Sequence, residues 1–541
     1  MRITFFLAFI FLAELSVSAQ NRYFVYLKDK ANSSFSISAP EKFLSKRSID
    51  RRKSQNIALN ELDIPVNSSY LTQIISAGAK VVGTSKWLNA TLIECSPQVL
   101  SAVSKLSFVK AIDGNQDIRG ARNSALETPK SEFDKFGAYE DFNYGNSSNQ
   151  IQQLGVDEMH KKNFTGKGIL IAVFDAGFDK ANTMTAFAHL FSDKKIIKTY
   201  DYVSNDSNVY ESHWHGTAAL SCIAAKLSGQ LVGTAPDADF ALYKTEDAGS
   251  ETRIEEVYWL FAAENADSLG VDVINSSLGY YEFDNPATNY KFEDLNGDKT
   301  IAAKAADYAV GRGIIVVNSA GNEGGNAWNH IVTPADADSV IAVGAVDLNG
   351  NAVGFSSPGP NAKNVIKPEV SAKGSQTTVA VANPNTSLSS GTSFSSPLIA
   401  GMVAGLKQQF PHYSAMKIRE LLIKSANKYD TPDNKMGYGI PSYKKFVDLS
   451  EVILATEKDE SMIQIFPNPV VHSDFLKIEI NGDQLDNNNL IEVFDASGKK
   501  VIAEKQKFGD FKKQISKLNP GNYFVSFEKN GIKYTKKIAV L

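Results

Sequence analysis

The stretch ILIAVF at residues 169–174 is a run of six apolar residues, and DAGF (175–178) follows it directly. A continuous apolar run of this length is typical of a strand covered on both faces, as in a parallel sheet. Helical patterns such as RIEEVYWLFAAENADSLG and IAAKAADYAVGRG separate it from similar runs later in the chain. Those runs are DFALYK (239–244), VDVINSSL (271–278), GIIVVNSA (313–320) and SVIAVGAV (339–346). The alternation predicts an α/β fold with a doubly wound parallel sheet over residues 149–450.

The segments on either side of this sheet have different patterns. Residues 20–120 mix strand-like and helix-like runs, which predicts a small α+β domain. Residues 121–148 are poor in aliphatic side chains and rich in Asn, Ser and Gly, as is typical of an exposed linker. Residues 460–541 contain short apolar runs separated by turn residues, which predicts a C-terminal all-β sandwich.

The N-terminus and the net charge narrow the class of protein. Residues 1–19 carry Arg2, an apolar run and a small-residue end at Ala19, which together indicate a signal peptide. A membrane anchor is the alternative, but the apolar run is short and Glu14 interrupts it. The chain of 541 residues has a formal net charge of −4, which argues against a nucleic-acid partner.

Two further features predict structural roles only. Cys95 and Cys222 are the only cysteines of the chain, and we expect them to stay unpaired because they fall in separate predicted domains. The run KRSIDRRKSQ (46–55) combines a helical pattern with many basic residues, and we expect its charges to face solvent.

Asp175 and His215 are the first candidates for catalysis. Functional groups of an open parallel sheet collect just beyond the carboxyl ends of its strands, and Asp175 falls there, with Gly177 to form the turn. His215 opens a helical run, and histidine suits proton transfer near neutral pH. His213 is a rival, but Gly-Thr does not follow it. A turn aspartate and a capping histidine are the structural alternatives.

Ser393 and Asn322 are the other two candidates. The motif GTSFSSP (391–397) places Ser393 just before a predicted helix whose first turn holds Pro397. Helix N-termini stabilise negative charge, and the side-chain amide of Asn322, in the glycine-rich loop 318–325, could donate to an oxyanion. An N-cap serine and a Gly/Asn turn are the alternatives. The presence of four such residues at strand or helix ends favours a catalytic site.

The motifs IAVFDAGFD, HGTAA, NSSLG, NSAGNEG and GTSFSSP resemble those of the subtilisin-like serine peptidases, the subtilases, over roughly residues 150–450. The resemblance implies a serine endopeptidase with Ser393 as nucleophile, His215 as general base and then acid, and Asp175 orienting the imidazole. Asn322 would form the oxyanion hole together with the Ser393 amide. Peptide substrates would bind by strand addition to residues that the resemblance identifies as Ser277, Leu278, Gly279, Ala320 and Gly321.

Some residues depart from the family pattern. Ala176 stands where the family usually has Ser or Thr, which removes a hydroxyl hydrogen bond to the catalytic carboxylate. The loop KLSGQLVG (226–233) lacks the asparagines of the family's strong calcium site, so we do not expect that site. The stretch DLNGDKT (294–300) has acidic residues at alternate positions, but Ala305 replaces the bidentate glutamate of a calcium loop. We therefore expect no cofactor, with calcium as the open alternative.

The loop IVTPADADSV (331–340) corresponds to the segment near the family's primary specificity pocket. Val332 stands there where a glycine is usual. We therefore expect a shallow pocket that favours small or medium apolar side chains.

The flanking segments extend the resemblance. Residues 20–120 resemble the pro-region of subtilases, which implies that the chain inhibits itself and is processed within about 120–145. The tail with IQIFPNPV and GNYFVSF resembles the C-terminal sorting domain of type IX secretion, which implies export through the periplasm and outer membrane, to be secreted or held at the cell surface. We expect a monomer. The alternatives are a peptide-binding pseudo-peptidase on the same fold and a surface adhesin.

Overall fold

The computed structural model describes residues 21–116, 142–381, 386–471, 475–480, 489–506, 513–514, 518–529 and 532–541. The predicted signal peptide and most of the predicted linker lie outside the described residues. The chain divides into two compact units, one ending at Phe446 and the other beginning at Val447.

The first part of unit one is an α+β domain, as predicted. Its four strands form an antiparallel sheet in the order β2-β3-β1-β4. Its core includes Tyr23, Ile74 and Ile93. The elements are β1 (Asn21–Leu27), α1 (Lys46–Ser54), α2 (Ser68–Ser76), β2 (Lys80–Ser85), β3 (Ala90–Cys95), α3 (Pro97–Val103) and β4 (Val109–Gln116).

The second part of unit one contains most of the helices and strands of the protein. In chain order they are α4 (Ser148–Gln152), α5 (Val156–Lys161), β5 (Leu170–Asp175), α6 (Ala188–Ser192), β6 (Ile196–Asp201), α7 (His215–Ala224), β7 (Lys226–Leu227), β8 (Leu231–Val232), β9 (Asp239–Lys244), α8 (Ile254–Leu269), β10 (Val273–Ser276), α9 (Ile301–Gly311), β11 (Ile315–Ser319), β12 (Ile341–Val346), β13 (Val370–Lys373), β14 (Thr377–Ala380), β15 (Thr386–Ser389), α10 (Thr392–Gln409), α11 (Ala415–Ser425) and α12 (Tyr443–Met462). The last of these continues into unit two.

Seven parallel strands form the central sheet, in the order β13-β12-β11-β10-β5-β9-β6. The doubly wound parallel sheet is therefore confirmed, and all five predicted strands belong to it. The two edge strands, β6 and β13, were not predicted from the sequence. The first is only partly buried over most of its length and the second has four residues, so neither has the long apolar run of a central strand.

Helix α10 crosses behind the sheet and contacts β10, β11, β12 and β13, as well as α7. Glycine allows one of these close contacts. A Cβ atom added at Gly401 would lie 1.8 Å from Thr234 Oγ1, so no larger residue fits without a shift of the backbone. The sheet and this helix together fix the positions of the side chains described below.

The basic helix α1 does not behave as predicted. Arg51 and Arg52 are buried and both bind Asp267 on α8, with Arg51 at 2.6 Å and Arg52 at 2.9 Å. Lys86, from the loop after β2, binds the same carboxylate at 2.7 Å. The expectation of a solvated basic run is therefore wrong for these arginines. Lys46 fits it, because its side chain is 87% exposed.

Both cysteines are buried and free, which confirms that prediction.

Unit two contains antiparallel strands, which confirms the predicted all-β tail. A three-stranded sheet has the order β16-β17-β20, and a four-stranded sheet has the order β19-β18-β21-β22. Val493, Val525 and Ile538 lie in its core. The strands are β16 (Ile463–Phe466), β17 (Phe475–Ile480), β18 (Asn489–Asp495), β19 (Lys500–Gln506), β20 (Lys513–Gln514), β21 (Gly521–Lys529) and β22 (Ile532–Val540).

Within the described ranges, no helix has both the length and the apolar character needed to cross a membrane.

Candidate active site

Asp175 and His215 meet at the carboxyl edge of the sheet. Asp175 is the last residue of β5 and His215 is the first residue of α7. The Nδ1 atom of His215 lies 2.8 Å from Oδ1 of Asp175. The backbone N–H of Ala176 donates to the same oxygen, also at 2.8 Å. An ionised carboxylate can only accept hydrogen bonds, so Nδ1 carries the hydrogen and Nε2 is left as the basic nitrogen.

Gly216 makes this approach of helix to strand possible. A Cβ atom at this position would lie 2.3 Å from the Gly177 carbonyl oxygen and 2.8 Å from Asp175 Cβ. Any side chain there would push the start of α7 away from β5. The glycine of the HGT motif therefore brings the imidazole within hydrogen-bond distance of the carboxylate.

The surroundings of the pair favour a protonated imidazole. Burial opposes the positive charge, but the Asp175 carboxylate and its hydrogen bond outweigh burial and raise the pKa of His215 above its ordinary value. Asp175 is 0% exposed, and its Oδ2 atom has no hydrogen-bond partner among the described residues. Ala176 follows directly and offers no hydroxyl. The consequence predicted from that alanine is thus visible as an unsatisfied carboxylate oxygen.

Ser393 is the second residue of α10, and Gly391 is the N-cap. Pro397 accordingly lies in the second turn of the helix rather than the first, so that prediction was wrong by one turn. The Ser393 hydroxyl donates to the Ser277 carbonyl oxygen at 3.3 Å, and no hydrogen bond joins it to His215. The neighbouring Phe394 ring lies 5.6 Å from the imidazole, measured between centroids. Long or absent catalytic hydrogen bonds are common where no substrate is bound.

Asn322 lies against the start of the same helix. Its Oδ1 atom accepts the Thr392 backbone N–H at 2.8 Å and the Thr392 hydroxyl at 3.1 Å. These bonds assign the oxygen and nitrogen of the amide, so its NH₂ group points away from Thr392. Because Asn322 is exposed, this NH₂ group is available as a donor next to the first amides of α10.

The predicted substrate-binding residues lie in two neighbouring segments. Ser277, Leu278 and Gly279 follow β10, and Gly279 is exposed. Ala320 and Gly321 follow β11. Ala320 lies behind the surface, because it is fully buried and its backbone bonds to Val343 and Val332.

A buried polar network behind Ser393 was not found from the sequence. The Ser277 hydroxyl donates to the Ser393 carbonyl oxygen at 3.0 Å, and Asn275 Nδ2 donates to the Ser277 hydroxyl at 3.1 Å. The Ser396 hydroxyl closes the chain by donating to Asn275 Oδ1 at 3.2 Å. The stretch NSS (275–277) was a signal of this network, because it places polar side chains at alternate positions at the end of a buried strand. Buried polar side chains need hydrogen-bond partners.

The loop predicted from DLNGDKT does not present free carboxylates. Asp294 binds Lys299, and Asp298 binds Lys363 at 2.6 Å. Asn296 accepts the backbone N–H of Asp298 at 3.0 Å. Each acidic side chain therefore has a lysine as its counter-charge.

A different group of carboxylates, Glu246, Glu251 and Glu255, lies close enough together to share a cation. Burial, followed by the Glu251 carboxylate, raises the pKa of Glu255 to about 9. Burial, followed by the Asp284 carboxylate, raises the pKa of Glu251 to about 7. Tyr280 donates to Glu246, whose pKa burial also raises. Protonation at neutral pH would satisfy this cluster without a metal, so the expectation about calcium stays a prediction.

The family models match three parts of the chain. The model described as the subtilase family matches residues 166–439, just over half of the chain. The chain belongs to the subtilase family. The model for a peptidase S8 propeptide domain of Bacteroidota matches residues 22–131 of this subtilase, and that for a secretion system C-terminal sorting domain matches 464–541. The subtilase is thus a serine peptidase with a propeptide and a type IX sorting domain, exported for secretion or surface attachment.

The relatives of this subtilase include proteins named as extracellular proteases and as serine proteases. Subtilisin DY of Bacillus licheniformis is 32% identical over 280 residues, which cover 51% of this chain and 90% of the relative. Serine protease AprX of Bacillus subtilis (strain 168) is 26% identical over 378 residues, which cover 64% of this chain and 76% of the relative. Minor extracellular protease Epr of the same strain is 26% identical over 386 residues, which cover 70% of this chain and 53% of the relative.

Proposed function

We propose that this subtilase is a serine endopeptidase that cleaves peptide bonds through an acyl-enzyme, with Asp175, His215 and Ser393 as its triad. The observation that carries the proposal is the 2.8 Å hydrogen bond between Asp175 and His215. It fixes the imidazole tautomer that catalysis needs. Phe394, the residue directly after Ser393, lies 5.6 Å from that imidazole between ring centroids, at the start of helix α10.

Acylation begins when a peptide lies along the extended segment that ends at Gly279. His215 Nε2 takes the proton of the Ser393 hydroxyl as the oxygen attacks the carbonyl carbon. For this step the hydroxyl leaves the Ser277 carbonyl oxygen, which the structure places 3.3 Å away, and rotates toward the imidazole. The Asp175 carboxylate stabilises the imidazolium that forms.

The tetrahedral intermediate carries its negative charge on the former carbonyl oxygen. The NH₂ group of Asn322 and the backbone N–H of Ser393 donate to that oxygen, and the N-terminus of α10 adds its dipole. The imidazolium then gives its proton to the leaving amine. Water, activated by the same imidazole, attacks the ester carbonyl and regenerates the Ser393 hydroxyl.

The flanking domains act before and after catalysis in this proposal. The propeptide domain binds the catalytic domain through α8 and inhibits it until it is cleaved off in the segment that joins the two. The sorting domain binds the type IX secretion machinery and leaves peptidase activity unchanged. Protein and peptide substrates are the expected partners, and the enzyme acts as a monomer.

Labelling with a fluorophosphonate probe tests the proposal. The secreted wild-type protein should be labelled covalently, whereas Ser393→Ala should not be labelled. Ser395→Ala is the matched control, because Ser395 is a buried serine on the same helix whose hydroxyl donates to the Thr392 carbonyl oxygen. Retained labelling in Ser393→Ala, or no labelling in the wild type, would contradict the proposal. The second outcome would favour a pseudo-peptidase that binds peptides without cleaving them.

A further inference from the structure

Val332 lies between the two segments that we propose bind the substrate. Its backbone N–H donates to the Ala320 carbonyl oxygen at 3.2 Å, so the residue runs beside the Ala320-Gly321 segment. The next residue, Thr333, pairs with Tyr280 through bonds of 2.9 and 3.2 Å, which ties the same loop to the segment that contains Gly279. Both proposed binding segments are thus bonded to the loop that carries Val332.

The side chain of Val332 bridges these walls. A Cβ atom added at Gly279 would lie 2.1 Å from Val332 Cγ2, and one added at Gly321 would lie 2.9 Å from the same methyl. The valine therefore contacts a glycine on each side. It is only 3% exposed, so even water barely reaches its methyl groups. A substrate side chain that enters between the two glycines meets these methyl groups at once.

A second set of contacts joins the same two loops. Tyr281 stacks on Trp328 with 4.7 Å between ring centroids, which joins the loop after Gly279 to the loop after Asn322. The Tyr281 hydroxyl donates to Glu323 at 3.0 Å, and Asn326 binds the same carboxylate. Glu323 directly follows Asn322, so it is the carboxylate closest in sequence to the proposed oxyanion donor. Its bonds leave it poorly placed to pair with a basic substrate side chain.

We propose that Val332 restricts the substrate residue whose carbonyl is attacked to Gly, Ala or Ser. This inference rests on the proposed peptidase function and on the same two binding segments. A branched or aromatic side chain would have to displace the Val332 methyl groups, and packed interiors resist such overpacking. A lysine or arginine would meet the same methyl groups and find Glu323 already bound.

The test is a set of quenched peptides that differ only at that residue, cleaved by the mature secreted enzyme. For the wild type, kcat/KM for the Ala peptide should exceed that for the Phe peptide by about 10². Val332→Gly should raise kcat/KM for the Phe peptide by about 10², and Val332→Ala by about 10, with the Ala peptide changed less than about threefold. Val340→Ala, a truncation of a fully buried valine further along the same loop, should not change the ratio.

Three results would overturn the inference, and labelling with the fluorophosphonate probe separates the first two from the third, which is failure of the proposed function. If the labelled wild-type enzyme cleaves Phe or Lys peptides with the same kcat/KM as Ala peptides, the role of Val332 is contradicted. An unchanged Phe-to-Ala ratio in both Val332 variants does the same. Wild-type protein that is neither labelled nor active contradicts the peptidase function, and this inference with it.

Discussion

Asp175 and Asp267 are both wholly buried, one at the catalytic edge of the sheet and the other on the helix that contacts the propeptide domain. Asp267 binds three cations, Lys86, Arg51 and Arg52. Asp175 binds one imidazole and one backbone N–H, and its second oxygen has no partner in the part of the chain that the structure describes.

The difference between these sites shows two uses of a buried carboxylate. Burial alone would raise the pKa of Asp267, but Lys86, Arg51 and Arg52 outweigh it and hold that pKa well below its usual range. Its charge is therefore permanent and joins two domains. The partner of Asp175 gains and loses a proton in the proposed mechanism, so the charge of Asp175 stabilises an imidazolium that forms only during the reaction.

The largest effect is expected from removing the charge at the catalytic edge. Asp175→Asn should lower kcat by about 10⁴, because an amide no longer selects the tautomer with a basic Nε2 nor stabilises the imidazolium. Peptide hydrolysis by the secreted variant measures this loss. Asp179→Asn, in the turn after β5 and partly exposed, should change kcat less than about threefold. Equal losses in both variants would show that the loop, rather than the Asp175 charge, matters.

The second prediction concerns the face that contacts the propeptide. Asp267→Asn in the uncleaved Ser393→Ala protein should lower the free energy of unfolding by about 3 to 5 kcal/mol, because buried cations lose their counter-charge. Denaturant titration measures this change. The depressed pKa means that the contribution is present above the unfolded value of about 3.9 and is lost as the pH falls below it. The variant should therefore lose stability less steeply below about pH 4.

Lys46→Ala is the matched control for that experiment, because Lys46 lies on the same basic helix but is exposed and pairs with Asp50 at the surface. Its stability should match that of the parent within error. A similar loss in Lys46→Ala and Asp267→Asn would contradict the assigned role of the buried ion pairs.

The smallest effect should come from giving Asp175 another partner. Ala176→Ser offers a hydroxyl that can donate to Oδ2 of Asp175, which has no partner among the described residues. Such a bond weakens the attraction of the carboxylate for the imidazolium and lowers the pKa of His215. Because catalysis needs the neutral imidazole, the acidic limb of the kcat/KM profile should move to lower pH by a few tenths of a unit. Ala176→Gly adds no donor, so its profile should stay in place. A shift in the opposite direction would contradict this account of Asp175.

Local patterns predicted the central strands correctly, and they selected the candidate site residues, whose catalytic roles stay predictions. The buried strands β5 and β9 are visible in the sequence as apolar runs, and Asp175 is the residue at the end of β5. The edge strands were missed because their side chains are shared between core and solvent, or because they are too short. Arg51 and Arg52 were missed because a basic helix has the same sequence whether it faces water or a carboxylate from another domain.

The amino-acid sequence by itself determined the α/β fold, the order of the domains and the residue types that reach the carboxyl edge of the sheet, since these depend on periodicity and on small residues in local motifs. Only the tertiary structure decided which groups meet: the imidazole with Asp175, the cations with Asp267, and the Val332 methyl groups with two glycines from different loops. The physical reason is that hydrogen bonding, burial and steric exclusion act between residues distant in the chain, and their separations are set by packing of the whole domain.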